Sequence, residues 1–266
     1  MERTDANYDV DWEFYDPFYA DVDDADFYIG LARRCGGPVL DAMCGSGRLL
    51  LPLARAGFEA VGIDSSEAML SLARKKLAAE PPDVSERVSL VKADVRDLDL
   101  GRRFKLVIVA FSSINHLLIP RDQDRAMACL KRHLKEDGAL AVASFNPQLE
   151  KLNSEHLDKE VELENGDLLS RFSRLEVDPE SGLLQVRYRW ELERNGRLFK
   201  QSESGFHLKL LKPNQLKALL EGAGFEVFER YGGYRGEPLD PKGDVVVFVA
   251  RPRMVWKENA KLLAPD

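Results

Sequence analysis

The sequence predicts an α/β fold in which a mostly parallel sheet, layered with helices, is interrupted by an antiparallel β insertion. Three observations predict it. Between Pro38 and Phe145 short apolar runs alternate with longer segments of helical period, the pattern of successive βαβ units. Beyond Asn146-Pro147 the period changes to two, and from Pro213 a helix and then apolar strand patterns return.

Five parallel strands can be read in order. Val39-Leu40 leads into a glycine-containing turn, Ala60-Val61-Gly62-Ile63 ends at Asp64, and Val88 to Val91 ends near Asp94. Phe104 to Phe111 is strongly apolar, and Ala139 to Phe145 is the fifth run. Runs this continuously apolar belong to strands covered on both faces. The helix after Asp64 has Ser65 or Ser66 as its cap, Met69, Leu72, Ala73 and Leu77 on one face, and a stop at Pro81-Pro82. In the insertion, Leu184, Val186, Tyr188, Trp190 and Leu192 alternate with polar residues, as a half-buried antiparallel strand requires. Pro179-Glu180-Ser181-Gly182 before it and Asn195-Gly196 after it are turn sequences, so residues 165–211 read as a meander of three strands. Pro213 to Gly222 is helical, and Phe225 to Tyr231 and Val245 to Ala250 form strands joined through Asp240-Pro241-Lys242-Gly243-Asp244. The expected organisation is a lid segment over 1–30, an α/β domain over 31–148 and 212–251, a β cap over 149–211, and a tail over 252–266.

Composition narrows the function. With 266 residues, 44% hydrophobic and 31% charged, the chain has the make-up of an ordinary globular protein, and it contains no apolar run long enough to cross a bilayer. The start, Met1-Glu2-Arg3-Thr4-Asp5, lacks the basic and apolar stretches of a signal peptide, so a cytoplasmic location is expected. Cys35, Cys44 and Cys129 form no CxxC pair, and no metal site is expected. A formal net charge of −7 argues against nucleic acid as a partner, because phosphates need a surface dense in Lys and Arg.

The chemistry is concentrated at strand ends. Val39-Leu40-Asp41-Ala42-Met43-Cys44-Gly45-Ser46-Gly47-Arg48-Leu49 runs from a strand through a tight turn into a helix. Gly45 and Gly47 let backbone approach a ligand, and the helix start offers free N–H groups. Asp41 would repel a pyrophosphate but attract the ammonium of an amino-acid-like ligand. Asp64 stands where such sheets place an acid for ribose hydroxyls, and Asp94, followed by Val95, can read an adenine edge. Each also has a plain reading as a helix-start or turn residue. A nicotinamide dinucleotide fits poorly: the third glycine of GxGxxG would fall at Leu50, and Asp41 would face the pyrophosphate.

On these residues the chain resembles the class I S-adenosylmethionine (SAM)-dependent methyltransferases. Leu40-Asp41-Ala42-Met43-Cys44-Gly45-Ser46-Gly47 resembles their first motif, Gly62 to Leu70 their second, Lys92 to Leu98 their third and Phe104 to Leu117 their fourth, and the likeness extends over roughly residues 8–250. The resemblance implies a Rossmann-like fold with a mixed seven-stranded sheet, helices on both faces, and SAM as cofactor. It implies that Ala42, Gly45 and Gly47 line the methionine part of SAM and that Asp64 meets the ribose. Ser65 and Met69 would lie beside ribose and adenine, and Asp94 and Val95 at the adenine. Met43 stands where the family usually has its first glycine, which puts the turn on Gly45 and Gly47.

A narrower resemblance is to amino-sugar N,N-dimethyltransferases and related small-molecule N-methyltransferases, through Tyr15-Asp16-Pro17-Phe18-Tyr19 and Phe111-Ser112-Ser113-Ile114-Asn115-His116-Leu117. It implies a tyrosine, Tyr15 or Tyr19, folded over SAM, and Phe111 and His116 facing the methyl group. His116 can take a proton near neutral pH, although a packed structural histidine explains it equally. The acidic, aromatic segment from Asp5 to Asp26, with Tyr8 and Phe14 among its rings, is a solvated face or a lid over the sulfonium. Asn146, Tyr234 and Arg235 are placed by position to reach a substrate. Arg187 can meet an anionic substrate group, although an exposed sheet face explains it as well. The expected reaction is methyl transfer to a small molecule, to a nitrogen before an oxygen. A protein acceptor and a non-catalytic SAM-binding module stay open, as does a homodimer. RNA is disfavoured by the acidic balance and by the lack of an Asn-Pro-Pro-Tyr type tetrapeptide after the fourth strand.

Overall fold

The computed structural model describes residues 12–146, 153–178, 180–240 and 243–253. The chain opens with α1 (Trp12–Phe18) and α2 (Ala25–Cys35), followed by β1 (Val39–Ala42), α3 (Leu50–Arg55), β2 (Ala60–Asp64), α4 (Glu67–Ala78), α5 (Pro82–Ser85) and β3 (Val88–Lys92). Next come β4 (Phe104–Val109), a 3-10 turn (Ser113–His116), α6 (Pro120–Arg132) and β5 (Leu134–Phe145). The second sheet holds β6 (Glu155–Glu162), β7 (Leu168–Val177), β8 (Leu184–Arg194) and β9 (Arg197–Leu208). The chain then returns through α7 (Pro213–Gly222), β10 (Phe225–Tyr231) and β11 (Val245–Pro252).

The main sheet has seven strands in the order β10-β11-β5-β4-β1-β2-β3, with β11 antiparallel to both its neighbours, β10 and β5, and every other pair parallel. This is the mixed seven-stranded sheet expected. Its strands are apolar throughout because both faces are covered. Leu40, Ala42, Val107 and Val109 pack toward α6 and α7, while Val39, Leu106 and Ile108 pack toward α2 and α3. Strand order reverses between β1 and β4, and the crevice beyond the carboxyl ends there is where open α/β sheets take their ligands.

Most of the expected elements appear close to their sequence limits. Ser66, rather than Ser65, caps α4, its hydroxyl accepting from the Met69 N–H at 3.2 Å. Leu70 joins Met69 and Ala73 in the core, and Leu72 and Leu77 are half-buried. Asn195 and Gly196 both have positive φ, 52° and 70°, the two-residue turn that matches strand twist between β8 and β9. Two expectations need correction. The three-strand meander over 165–211 is present as β7, β8 and β9, but the insertion holds a fourth strand before it: β6, Glu155-His156-Leu157-Asp158-Lys159-Glu160-Val161-Glu162, carries so few apolar residues that its period is masked. The fourth strand of the main sheet ends at Val109, because Phe111 and Ser112 turn sharply with φ of 50° and 64°. Arg251 and Pro252 belong to β11; the tail from Met254, Tyr8, Pro147, Pro179, Pro241 and Lys242 lie outside the described residues.

α1 joins the two sheets. Phe14 and Phe18 pack on Trp190 with ring centroids 5.5 and 5.0 Å away, and Lys159 pairs with Asp21 at 2.6 Å. From the other side Asp16 accepts from the Ser46 hydroxyl at 2.5 Å and from Lys76 at 2.9 Å.

Candidate active site

The loop after β1 is built on its glycines and on one unexpected residue. Gly45 and Gly47 have φ of 54° and 75°, and Met43, in the first-glycine position, takes φ of 63° as well. A methionine there costs about 1–2 kcal/mol of backbone strain, and its half-buried side chain packs against the core beneath the loop. A Cβ on Gly47 would stand 3.1 Å from the Ala73 Cβ and 3.3 Å from Leu50, so this glycine allows α3 and α4 to close together. Gly45 presents its N–H to Asp64 Oδ2 at 2.8 Å, and Ser66 donates its N–H to Oδ1 at 2.8 Å. Burial raises the Asp64 carboxyl while these backbone donors pull it down.

A cavity of about 170 Å³ lies over this loop. Tyr15, Asp41, Gly45, Asp64, Ser65, Met69, Asp94, Val95, Phe111 and His116 all line it, so ten of the residues chosen from sequence converge there. Two do not. Ala42 is wholly buried in the sheet core, and Gly47 is spent on helix packing. The carboxyl of Asp41, 3% exposed, is pushed up to about 7 by burial, with Arg48 lowering it and Asp24 and Asp64 raising it. Asp94 already accepts from the Arg96 backbone N–H at 2.9 Å and from its Nε at 2.8 Å, and Arg96 also pairs with Asp122 at 2.7 Å. Burial also raises the Tyr15 phenol, which keeps it protonated.

Sequence reasoning missed Arg48. It lines the same cavity, grips the fully buried carboxylate of Asp24 with both terminal nitrogens, and lies 5.0 Å over the Phe111 ring. Its signal was faint, because its partner lies 24 residues upstream in a run of aspartates.

The loop after β4 forms the partition to a second cavity. Two successive residues with positive φ, Phe111 and Ser112, are strained, as segments at functional sites often are. Asn115 holds this loop in place: its Nδ2 donates to the Lys209 carbonyl at 2.7 Å, and its Oδ1 accepts from the Ser144 hydroxyl at 3.1 Å. His116, on the following residue, packs on Phe206 at 5.3 Å, and desolvation lowers its imidazole to about 4. It is neutral at pH 7, and so able to accept a proton.

The second cavity, about 410 Å³, lies between this partition and the four-stranded sheet. Tyr15, Met69, Phe111 and His116 line both cavities. Tyr19 and Tyr234, expected to meet substrate, line it, with the Tyr19 ring 4.9 Å from Phe111. Asn146, Arg187 and Arg235 do not. The Asn146 side chain donates to the Gly243 carbonyl at 2.8 Å, Arg187 is exposed on the opposite face of β8 and bonds Gln185, and Arg235 is exposed and pairs with Asp23 at 3.0 Å.

Instead, the polar wall comes from β6 and β7. Arg171 Nε donates to Asp158 Oδ2 at 2.7 Å, Arg171 Nη1 donates to the Tyr19 hydroxyl, and the Ser173 hydroxyl donates to Asp158 Oδ1 at 2.7 Å. The guanidinium lies 4.0 Å from the centroid of Phe18 and 4.2 Å from that of Tyr188. Asp158 sits at a register shift between Leu157 and Lys159, which re-aims its side chain off the strand's regular alternation. The available signal was in β7, where Arg171 and Ser173 share a face with Leu169 and Leu175. Among the described residues no cluster of His, Cys, Asp or Glu could hold a metal ion, and no helix is long and apolar enough to cross a membrane.

Residues 39–138 match the methyltransferase domain family. Over 144 residues the chain is 31% identical to the dTDP-3-amino-3,4,6-trideoxy-alpha-D-glucopyranose N,N-dimethyltransferase of Streptomyces venezuelae, covering 51% of this chain and 57% of that one. The chain spans about half the length of the curated relatives it matches. The solved structure of the CcbJ methyltransferase from Streptomyces caelestis is 29% identical, with a TM-score of 0.72 over 90% of both chains. That of the sugar N-methyltransferase KedS8 from Streptoalloteichus sp ATCC 53650 is 25% identical, with a TM-score of 0.70 over 90% of this chain and 93% of the other.

Proposed function

We propose that the chain, which carries a methyltransferase domain match over residues 39–138, moves the methyl group of SAM to a nitrogen of a small molecule held in the larger cavity. The observation that carries this reading is the shared partition: Tyr15, Met69, Phe111 and His116 stand between the crevice over the glycine loop and an apolar cavity of about 410 Å³.

The residues present suit SAM. Asp41, a buried carboxylate with no hydrogen-bond donor among the described residues, matches the ammonium of a methionine moiety, and Asp64, held rigid by two backbone donors, matches a pair of ribose hydroxyls. Met69 and Val95 offer apolar faces to an adenine. Asp94 is shared with Arg96, so in this reading the adenine amino group meets a carboxylate already partly neutralised. SAM supplies an electrophilic methyl on a positively charged sulfur.

The chain contributes alignment, desolvation and a place for a proton. With SAM bound, the C–N bond would form as the C–S bond breaks and the thioether leaves, and the residues of the partition would hold nitrogen and methyl in line. The proton then shed by the nitrogen passes to neutral His116 or to water. Proximity and the exclusion of water supply most of the acceleration in such a displacement. Tyr15 and Tyr19, carried on and just after α1, close the partition from the N-terminal side.

Calorimetric titration with SAM and with NADH, on the wild type, Asp64→Ala and Asp94→Ala, tests the reading. One SAM site weakened in both variants is expected, the Asp64 variant suffering more. NADH binding in place of SAM, or SAM binding indifferent to both changes, would overturn it.

A further inference from the structure

The walls of the larger cavity bear on what kind of amine enters it, given the assignment of that cavity to the acceptor. We propose that the acceptor is a phosphate-free amine with an apolar body, bound without a nucleotide or other phosphate handle. Most of the wall is apolar, with Phe145, Leu175, Val186, Trp190, Phe206 and Leu208 contributing side chains. Among the described residues its charged side chains are two carboxylates, Asp158 and Asp244, and one cation, Arg171.

That cation is already committed. Arg171 is 8% exposed, donates to Asp158 and to the Tyr19 hydroxyl, and is enclosed by the rings of Phe18, Tyr188 and Trp190. Turning it toward a phosphate would strand Asp158 beside the cavity without its cation, and removing one partner of a buried pair is strongly unfavourable. A diphosphate entering the cavity would exchange water for apolar walls and two like charges, with no free cation among the described lining residues to offset the loss of hydration.

An amine with an apolar body has none of these costs. Its ring or chain packs on Phe206 and Val186, and its nitrogen faces the neutral His116. Asp158 accepts from Arg171 through one oxygen and from Ser173 through the other. A carboxylate has lone pairs for more than two donors, so Asp158 can also read a hydroxyl or second amine on the acceptor.

The test uses the full chain loaded with SAM, offered 2-phenylethylamine, cyclohexylamine or a dTDP-linked 3-amino sugar, with S-adenosylhomocysteine release and calorimetric binding as readouts. The amines should be methylated with kcat/KM at least tenfold above the dTDP-linked sugar, and dTDP alone should not displace them. A dTDP-linked sugar used as well as or better than the amines overturns the proposal, as does protein that binds SAM but neither amine. Failure to bind SAM is a distinct result: it removes the cofactor reading first, and the acceptor proposal with it.

Discussion

The two cavities are built on opposite plans. In the crevice assigned to the cofactor, polar groups sit on loops at strand ends and meet mostly backbone donors of neighbouring loops: Asp64 accepts from Gly45 and Ser66. In the acceptor cavity the polar groups sit within strands, on the inward face, and are satisfied across the fold: Arg171 meets Asp158 on the neighbouring strand and Tyr19 from the N-terminal segment, 152 residues away. Backbone donors at loop ends can hold a buried carboxylate such as Asp64 while it still faces the cavity. A charge inside a sheet has to be neutralised by the protein itself, and once neutralised it is no longer available to a charged ligand.

The largest expected effect breaks the second plan. Arg171→Ala leaves Asp158 without its cation and empties the space between Phe18 and Tyr188, and should cost about 3–5 kcal/mol of stability, read as a lowered denaturant midpoint. Pairing it with Asp158→Asn should recover part of the loss, because the stranded charge goes too; a double variant no better than the single would show that packing, not charge, sets the cost.

On the first plan, Asp64→Ala should weaken SAM about a hundredfold, the loss of charge-assisted hydrogen bonds worth about 3 kcal/mol, with little change in acceptor KM. Equal losses for both ligands would show that the two cavities are one energetic unit.

Asp41 and His116 sharpen the comparison through pH. With its carboxyl raised to about 7 by burial, Asp41 is increasingly protonated below that pH, so SAM affinity should fall about tenfold per pH unit well below 7. Because the folded pKa lies above the unfolded one, ionising Asp41 destabilises the ligand-free protein across pH 4–7 and above, and Asp41→Asn should raise its melting temperature most at pH 8. His116, lowered to about 4, stays neutral above that pH, so at saturating SAM the rate should show no histidine inflection near 6.5. An inflection there would place the ring in water.

The smallest effect is expected at Arg187. It is exposed on the outer face of β8, and Arg187→Ala should change stability and turnover by less than about 0.5 kcal/mol. A tenfold rise in acceptor KM would return this residue to the site.

The same contrast governs what could be read in advance. The parallel strands, the Gly45–Gly47 turn and the acids at Asp41, Asp64 and Asp94 were legible, because apolar runs, glycine turns and strand ends are local patterns. Arg187 and Arg171 are both arginines in strands of one sheet, and only the neighbours separate them: Arg187 alternates outward between Val186 and Tyr188, while Arg171 is buried with Leu169 on the inward face. β6 went unread because its mostly charged residues leave only Leu157 and Val161 to mark a period.

By itself, then, the amino-acid sequence determined the main sheet, the glycine loop after β1 and the acids around it, since each depends on residues within one turn or one strand of each other. Only the tertiary structure decided which charges face the acceptor and which of them are already neutralised, because burial and pairing between Tyr19, Asp158 and Arg171 arise when distant segments meet, and no local period encodes that meeting.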